Sequence, residues 1–556
     1  MSSIVTVHCL NNDTYTDFPR GTDLKTILDT LKIDTGNTIV SAKVNNKVES
    51  LDFEIYNNKN VEFLDISSKS GLRTYLRSLC FILAKAVADV FPNERMNLEH
   101  AVSKGYFCKF QQRESVDQES VNRIKARMQE LIDADLPFTH KEEETTKVVA
   151  MFREQGFEDK ALLLETSGQL YSKYYSLNGS IDYFYGSLVL STGYIKLFDL
   201  LPYENGLLLR IPRIDNPKEL EPVIPQPKMF QVYKDQLKFL NVIGLDNVGD
   251  LNLANLTGNV SDVIKVSEAW QEKVIAETAI QIAKRYREDG TRVVLISGPS
   301  SSGKTTSRMR LEVQLMVNLL KPIGLSLDNY FVERENTPLD ENGDYDYESL
   351  YALDLELFNN DLEKILRGER IKLPTYNFTT GKREYNGEEL QIGENGILII
   401  EGIHGLNPNL TPHIPANQKF RIYVSALTAI SLDDHNWIPA SDNRLLRRLV
   451  RDYNFRNYSP IDTLSRWPKV REGEEKWIFP YQENADVMFN SAMLYELATL
   501  RSHAEPILAQ VPNNAPEYSE AYRLLKFLRY FVPIKDEELP PTSLLREFLG
   551  GSSFRY

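Results

Sequence analysis

Eight residues, Gly298-Pro299-Ser300-Ser301-Ser302-Gly303-Lys304-Thr305, follow directly on the apolar run Val293-Val294-Leu295-Ile296. A short run that is apolar at every position reads as a strand buried on both faces, as in a parallel sheet covered by helices. The eight residues have the Gly-x-x-x-x-Gly-Lys-Ser/Thr spacing of a phosphate-binding loop. Glycines let such a backbone wrap close to phosphate oxygens, and successive N–H groups form an anion nest at a helix N-terminus. Met309, Val313, Met316 and Leu320 share one face of the helix that would follow. The spacing therefore predicts ATP cradled on Gly298, Pro299, Ser300, Ser301, Ser302, Gly303, Lys304, Thr305 and Thr306. Lys304 would reach the β- and γ-phosphates, and the Thr305 hydroxyl would ligate Mg²⁺.

Further apolar runs extend the same sheet. Ile323-Gly324-Leu325-Ser326-Leu327 ends on Asp328, and Ile397-Leu398-Ile399-Ile400 ends on Glu401. Strands alternating with helices predict a parallel α/β sheet. Ligands of such sheets bind outside the carboxyl ends of the strands, where both carboxylates fall. Asp328 is placed to take the proton of an attacking hydroxyl, and Glu401 to bind Mg²⁺ directly or through water.

Five segments then occur in a recognisable order: SGPSSSGKTT at 297–306, LDNYF at 327–331, LPTYNF at 373–378, IEGIHGL at 400–406 and DNRLLRRLVRD at 442–452. Residues 290 to 500 on these segments resemble the uridine kinase and phosphoribulokinase family. The resemblance implies ATP-dependent transfer of the γ-phosphate to a sugar or nucleoside hydroxyl. It makes Asp328 the general base and Glu401 the Mg²⁺-linked acid. It makes Asp346 the holder of ribose hydroxyls and Tyr376 an aromatic wall of the base pocket. Arg444, Arg447, Arg448 and Arg451 lie in one helical segment. Of these, Arg448 and Arg451, with Arg456, match arginines of a lid that closes over ATP. One departure stands out. Pyrimidine-specific members carry a histidine a few residues after the pocket tyrosine, and here that place falls near Gly381. His404, next to the Glu401-Gly402 pair, reads as structural.

The front half carries two other resemblances. Phe18-Pro19-Arg20-Gly21-Thr22 and Ala42-Lys43-Val44-Asn45-Asn46-Lys47 resemble the TGS domain, a β-grasp. Gly105 to Phe110, Asp182 to Gly186 and Ser191 to Lys196 resemble the editing domain of threonyl-tRNA synthetase. That family works with an HxxxH and a CxxxH pair. Here the four positions fall on Arg77, Phe81, Phe184 and Leu188. Phenylalanine and leucine neither ligate a metal nor move a proton. The expectation is a domain that neither edits tRNA nor binds zinc. His100 and His140 read as packing or surface residues.

The expected fold class is α/β and multidomain: a TGS-like β-grasp at 1–66, an inactive α+β editing-like domain at 67–225, a linker or helical region at 226–285, a P-loop kinase with a parallel sheet flanked by helices at 286–500, and a helical extension at 501–556. The 556 residues carry a net charge of −14, which disfavours nonspecific binding to nucleic-acid backbones. No apolar run approaches the roughly 20 residues of a membrane span. Three scattered cysteines, Cys9, Cys80 and Cys108, read as free thiols of a reducing, cytoplasmic setting. The leading expectation is an ATP-dependent nucleoside kinase. The alternatives are a kinase of a sugar or sugar phosphate, and an RNA- or nucleotide-binding regulator that uses ATP as a switch. Neither acceptor identity nor oligomeric state is legible.

Overall fold

A computed structural model describes residues 4–556. Residues 4–66 form a β-grasp. Strands Ile4–Cys9 and Lys59–Asp65 run parallel at the centre, Thr14–Pro19 flanks the first, and Ile39–Val44 followed by Lys47–Glu49 flanks the second. Helix Leu24–Leu31 starts on Asp23, whose carboxylate accepts the Thr26 N–H at 2.7 Å. That satisfies one of the donors a helix start leaves open. Val5, Val7, Leu24, Ile27, Val61 and Phe63 are its core.

Beyond it, helix Lys69–Val90 packs on a four-stranded antiparallel sheet of Met96–Val102, Gly105–Phe110, Asp199–Tyr203 and Gly206–Arg210. A three-stranded sheet, Thr139–Glu144, Tyr171–Leu177 and Ser180–Asp182, lies alongside with its helices. All three cysteines are buried and unpaired.

The stretch expected as a linker or helical region holds three packed helices: Pro227–Ile243, Val248–Leu256 and Val260–Glu288. Val248 and Leu251 share a core with Val148, Phe152 and Leu163 in front, while Ile275, Ala279 and Ile282 join Val294, Leu311 and Leu315 behind. Each such side chain contributes about 1.5–3 kcal/mol on burial, so this region joins front to back.

The sheet of the C-terminal half has five parallel strands in the order Lys321–Ser326, Gly396–Glu401, Val293–Ser297, Lys419–Ser425, Val487–Asn490. Ser326 and Ile296 flank Glu401 in register, so the P-loop and the two acidic strand ends share one edge. Helices Ala440–Phe455, Pro460–Trp477, Glu496–Leu508 and Tyr518–Leu528 cover this side. Among the described residues no helix is long and apolar enough to cross a membrane.

Candidate active site

The strand Val293–Ser297 delivers the chain into the loop at Gly298, and helix Lys304–Val317 leaves from Gly303. A Cβ on Gly298 would stand 1.9 Å from the Val424 carbonyl oxygen, so only glycine passes the neighbouring strand. Ser301 and Gly303 both take positive φ, +58° and +81°, which turns the loop into a concave amide ring. The Lys304 ammonium lies across this ring, donating to the carbonyls of Gly298 at 2.9 Å and Pro299 at 3.2 Å.

Asp328 follows its strand in a single turn of 3₁₀ helix, its N–H donating to Ser326 Oγ. Solvent reaches its side chain. The crowding walls of the cleft nonetheless push its pKa above the ordinary value, while Lys304 and Arg456 pull the other way. Lys304 shows the mirror effect: burial lowers it, opposed by Glu401 and Asp328. The ammonium and the two strand-end carboxylates therefore face one cleft.

Thr305 Oγ1 donates to Glu401 Oε1 at 3.3 Å. Arg308 Nε stands 3.3 Å from Glu401 Oε2, an oxygen that is buried without a hydrogen-bond partner. Burial raises the Glu401 pKa against the pull of Arg308 and Lys304. A hydroxyl beside a carboxylate oxygen with free acceptor capacity is an all-oxygen donor set, which fits Mg²⁺. The buried hydroxyls of Ser301 and Ser302 also lack partners, inside a loop whose shape fits phosphate oxygens.

The four arginines of helix Ala440–Phe455 divide into pairs. Arg444 donates to the Ser300 carbonyl at 3.0 Å and clasps Glu474 with both terminal nitrogens; Glu474 in turn accepts the Ser300 N–H at 3.0 Å. Arg447, fully buried, pairs with Glu496 through Nε at 2.9 Å and Nη2 at 2.6 Å. These two hold the phosphate loop from behind, through the Ser300 and Ser301 carbonyls. Arg448 reaches Ser300 Oγ at 2.8 Å. Arg448, Arg451 and Arg456 all converge on the buried carboxylate of Asp452, at 3.2, 3.0 and 3.6 Å.

Across the cleft, Tyr376 is buried between Phe331 and Phe378, ring centroids 5.5 and 5.0 Å away, and its hydroxyl has no partner. Tyr347 adds a further face to Phe331 at 6.4 Å. Asp346 lies on the adjoining loop and accepts the Glu348 N–H at 3.2 Å. Gly381 has φ +71°, and a Cβ there would meet Arg334 at 2.7 Å. The place where pyrimidine-specific relatives put an imidazole is thus covered by Arg334, whose Nη2 donates to the Phe378 carbonyl. His404 is 2 % exposed against the edge of Trp477, with its pKa pushed down to about 4 by burial, as befits a packing residue.

Three carboxylates at this cleft escaped sequence reasoning. Glu474 is bound by Arg444 and the loop. Glu348 lies near Glu474, Arg448 and Lys304, and burial lifts its pKa to about 7. Glu547, from the C-terminal extension, accepts from Thr306 Oγ1 at 2.6 Å and from the Thr306 N–H at 3.3 Å. None sits in a motif; only the sheet and helix packing brings them here.

In the front half, the Phe81 and Phe184 rings pack 5.8 Å apart, and Leu188 joins the same core. Arg77 lies over Gly186, where a Cβ would stand 2.5 Å from the guanidinium carbon.

Residues 293–497 match the model of the Phosphoribulokinase / Uridine kinase family, and this part of the chain is similar to the P-loop kinases of that family. A uridine kinase of Staphylococcus haemolyticus is 26 % identical over 201 residues, 36 % of this chain and 86 % of the relative. The N-terminal region matches threonine–tRNA ligases. That of Pelagibacter ubique is 28 % identical over 132 residues, 24 % of this chain, and the chain spans only 20 % of that ligase's length. Among solved structures, a putative fructose transport system kinase from Silicibacter aligns with TM-score 0.27 and 17 % identity, over 38 % of this chain and 98 % of that one.

Proposed function

We propose that the chain is an ATP-dependent nucleoside kinase that moves the γ-phosphate of ATP to a nucleoside hydroxyl. The observation that carries this reading is the shared cleft of Lys304 and Asp328, cation and carboxylate beyond the ends of two strands that flank the Glu401 strand in one sheet. The amide ring from Gly298 to Thr305 binds the triphosphate, and Lys304 turns from its carbonyls to the β- and γ-phosphates. Thr305 and Glu401 would hold Mg²⁺, which when bound neutralises charge on the phosphate oxygens. Asp328 orients the acceptor hydroxyl and takes its proton. Its raised pKa makes it a better base than an ordinary aspartate, against the opposing pull of Lys304 and Arg456.

Arg448, already on Ser300, adds positive charge beside the loop, where positioning and electrostatics supply most of phosphoryl-transfer catalysis. Arg451 and Arg456 are held with it on Asp452 and extend that charge toward Asp328. The aromatic wall of Phe331, Tyr376 and Phe378 begins three residues after Asp328, which suits a nucleobase whose ribose lies over the carboxylate. Asp346 is the ribose-binding candidate on that wall's loop. ADP release from purified protein against a panel of nucleosides and sugar phosphates, with Asp328→Asn as control, tests the reading. Turnover of a nucleoside supports it. Turnover of none in the panel, or equal turnover by the variant, overturns it.

Arg334 favours a second reading. A guanidinium standing where an imidazole would read a pyrimidine suits an anionic acceptor such as a sugar phosphate. Preference for sugar phosphates in the same panel selects it.

A further inference from the structure

A cavity of about 860 Å³ lies behind the phosphate loop, on the far side of Arg444 and between the front half and the C-terminal half. Its walls come from three regions: helix Lys69–Val90 and strands of the editing-like part, helix Pro227–Ile243, and the kinase segment leading into helix Ala440–Phe455. Sites for small ligands have volumes of this order and favour junctions between domains.

The lining has two characters. One part is aromatic: His100, Tyr106, Tyr233 and Trp437, with Tyr106 and Trp437 ring centroids 4.4 Å apart. His100 is 3 % exposed and stacks on Tyr233 at 3.7 Å, and neither of its ring nitrogens has a hydrogen-bond partner. Burial pulls its pKa down to about 3, so it is neutral at physiological pH and offers one donor and one acceptor. Orphaned buried polar atoms are uncommon and call for an explanation.

The other part is cationic. Seven Lys and Arg side chains line the cavity against four carboxylates, in a chain whose net charge is −14. Most of these cations are already matched. Arg73 and Arg523 share Glu520 and Asp442, Arg444 and Arg471 share Glu474, and Lys104 faces Glu475. Arg77 and Lys69 have no carboxylate within ion-pair distance among the described residues. Arg77 donates only to neutral oxygens, Ser187 O at 3.1 Å and Thr74 Oγ1 at 3.2 Å. With its pKa near 10 it stays charged at neutral pH. Arg77 is half-buried and Lys69 exposed, and a half-buried guanidinium with no carboxylate beside it is free to take a charge-assisted hydrogen bond from an anion.

We propose that this cavity is a binding site for a small organic anion that carries a planar ring. The anion sits on Arg77 and Lys69, and the ring lies among His100, Tyr106, Tyr233 and Trp437, where the free imidazole nitrogens meet its polar edge. The site stands independently of the phosphotransfer reading. Arg444 belongs to both, since it lines the cavity and grips Ser300 of the phosphate loop.

The test is titration of the full-length protein with anilinonaphthalene sulfonate, followed by fluorescence, and with AMP by calorimetry. Wild type is compared with Lys304→Ala, Arg77→Gln, Lys69→Gln and Leu72→Trp, the last filling the cavity from helix Lys69–Val90. The expected result is one saturable sulfonate site per chain that survives Lys304→Ala, weakens about tenfold in Arg77→Gln and disappears in Leu72→Trp at an unchanged melting temperature. Lys69→Gln weakens it less and serves if Arg77→Gln does not fold. Competition by AMP in the Lys304→Ala protein identifies the occupant as nucleotide-like; its failure leaves a non-nucleotide anion of the same class. No saturable sulfonate site, or one that vanishes in Lys304→Ala and ignores the cavity variants, overturns the proposal.

Discussion

Thr306 and Glu547 meet at the first turn of the P-loop helix, the threonine hydroxyl 2.6 Å and its N–H 3.3 Å from one carboxylate oxygen. Leu544 packs on Gly303 from the same segment, and the Tyr556 hydroxyl is 2.9 Å from Thr306 Oγ1. The C-terminal extension therefore puts negative charge where a helix N-terminus attracts phosphate. Replacing Glu547 by alanine is expected to tighten ATP binding about two- to fivefold, the worth of one exposed charge at a helix start. Titration with a fluorescent ATP analogue reads it. Unchanged or weaker affinity would show that the carboxylate only braces the helix.

Asp328→Asn removes a proton acceptor while keeping shape. Nucleotide affinity should persist because the amide ring and Lys304 are untouched. Turnover should fall by about 10²–10⁴, the usual contribution of a general base. Equilibrium binding and single-turnover transfer, measured on the same preparation, separate the two. A variant that still transfers at the parental rate would remove Asp328 from the mechanism.

How far this site was legible depends on how local each part is. The loop, Asp328 and Glu401 announce themselves because a buried strand, a turn and a carboxylate are contiguous in sequence. The roles of Arg444 and Arg447 were not visible: their i, i+3 spacing is the same whether a helix face meets water or meets Glu474 and Glu496. Glu547 lies 241 residues from Thr306 and carries no motif. Residues 226–285 could be read only as a linker or helical region because helix Val260–Glu288 is buried on more than one side, which blurs a single apolar stripe.

The pH dependence of turnover follows from the surroundings of Asp328. The crowding walls of the cleft raise its pKa, and Lys304 and Arg456 oppose the rise. The acidic limb of kcat/KM should lie above the ordinary aspartate range, with activity rising as the carboxylate ionises. Arg456→Gln takes away one of the two opposing cations, so the limb should move to higher pH. A profile that moves toward acid in this variant contradicts the proximity of the two side chains.

Arg447 and Glu496 form a pair with 0 % and 1 % side-chain exposure. Arg447→Met leaves Glu496 buried without a counter-charge, which costs about 3–5 kcal/mol. Because Arg447 also donates to the Ser301 carbonyl at 3.4 Å, ATP affinity should fall with stability. Adding Glu496→Leu is expected to restore much of the melting temperature, since the stranded charge is gone, but not the ATP affinity. Recovery of both together would assign Arg447 no part in shaping the loop.

The front half is tied to the kinase by buried charge. Lys160 stands 2.9 Å from Asp182 and 2.7 Å from Asp433, and His435 Nδ1 is 2.6 Å from Asp182. Burial pushes Asp182 up, but Lys160 and His435 hold it net below the usual carboxylate range. Its contribution is complete above the unfolded carboxylate value and is lost as pH falls through the depressed one. Burial pushes His435 down, but Asp182 raises it net above 6.5. Its contribution is complete below 6.5 and is lost as pH rises through the raised value. His435→Asn should therefore be less stable than wild type at pH 6, and the gap should narrow as pH climbs past the raised histidine value. Lys160→Met should lose about 3–5 kcal/mol at neutral pH, with two carboxylates left facing each other. Thermal denaturation from pH 5 to 9 decides: a gap between His435→Asn and wild type that is constant with pH would mean that the imidazole does not carry charge at this interface.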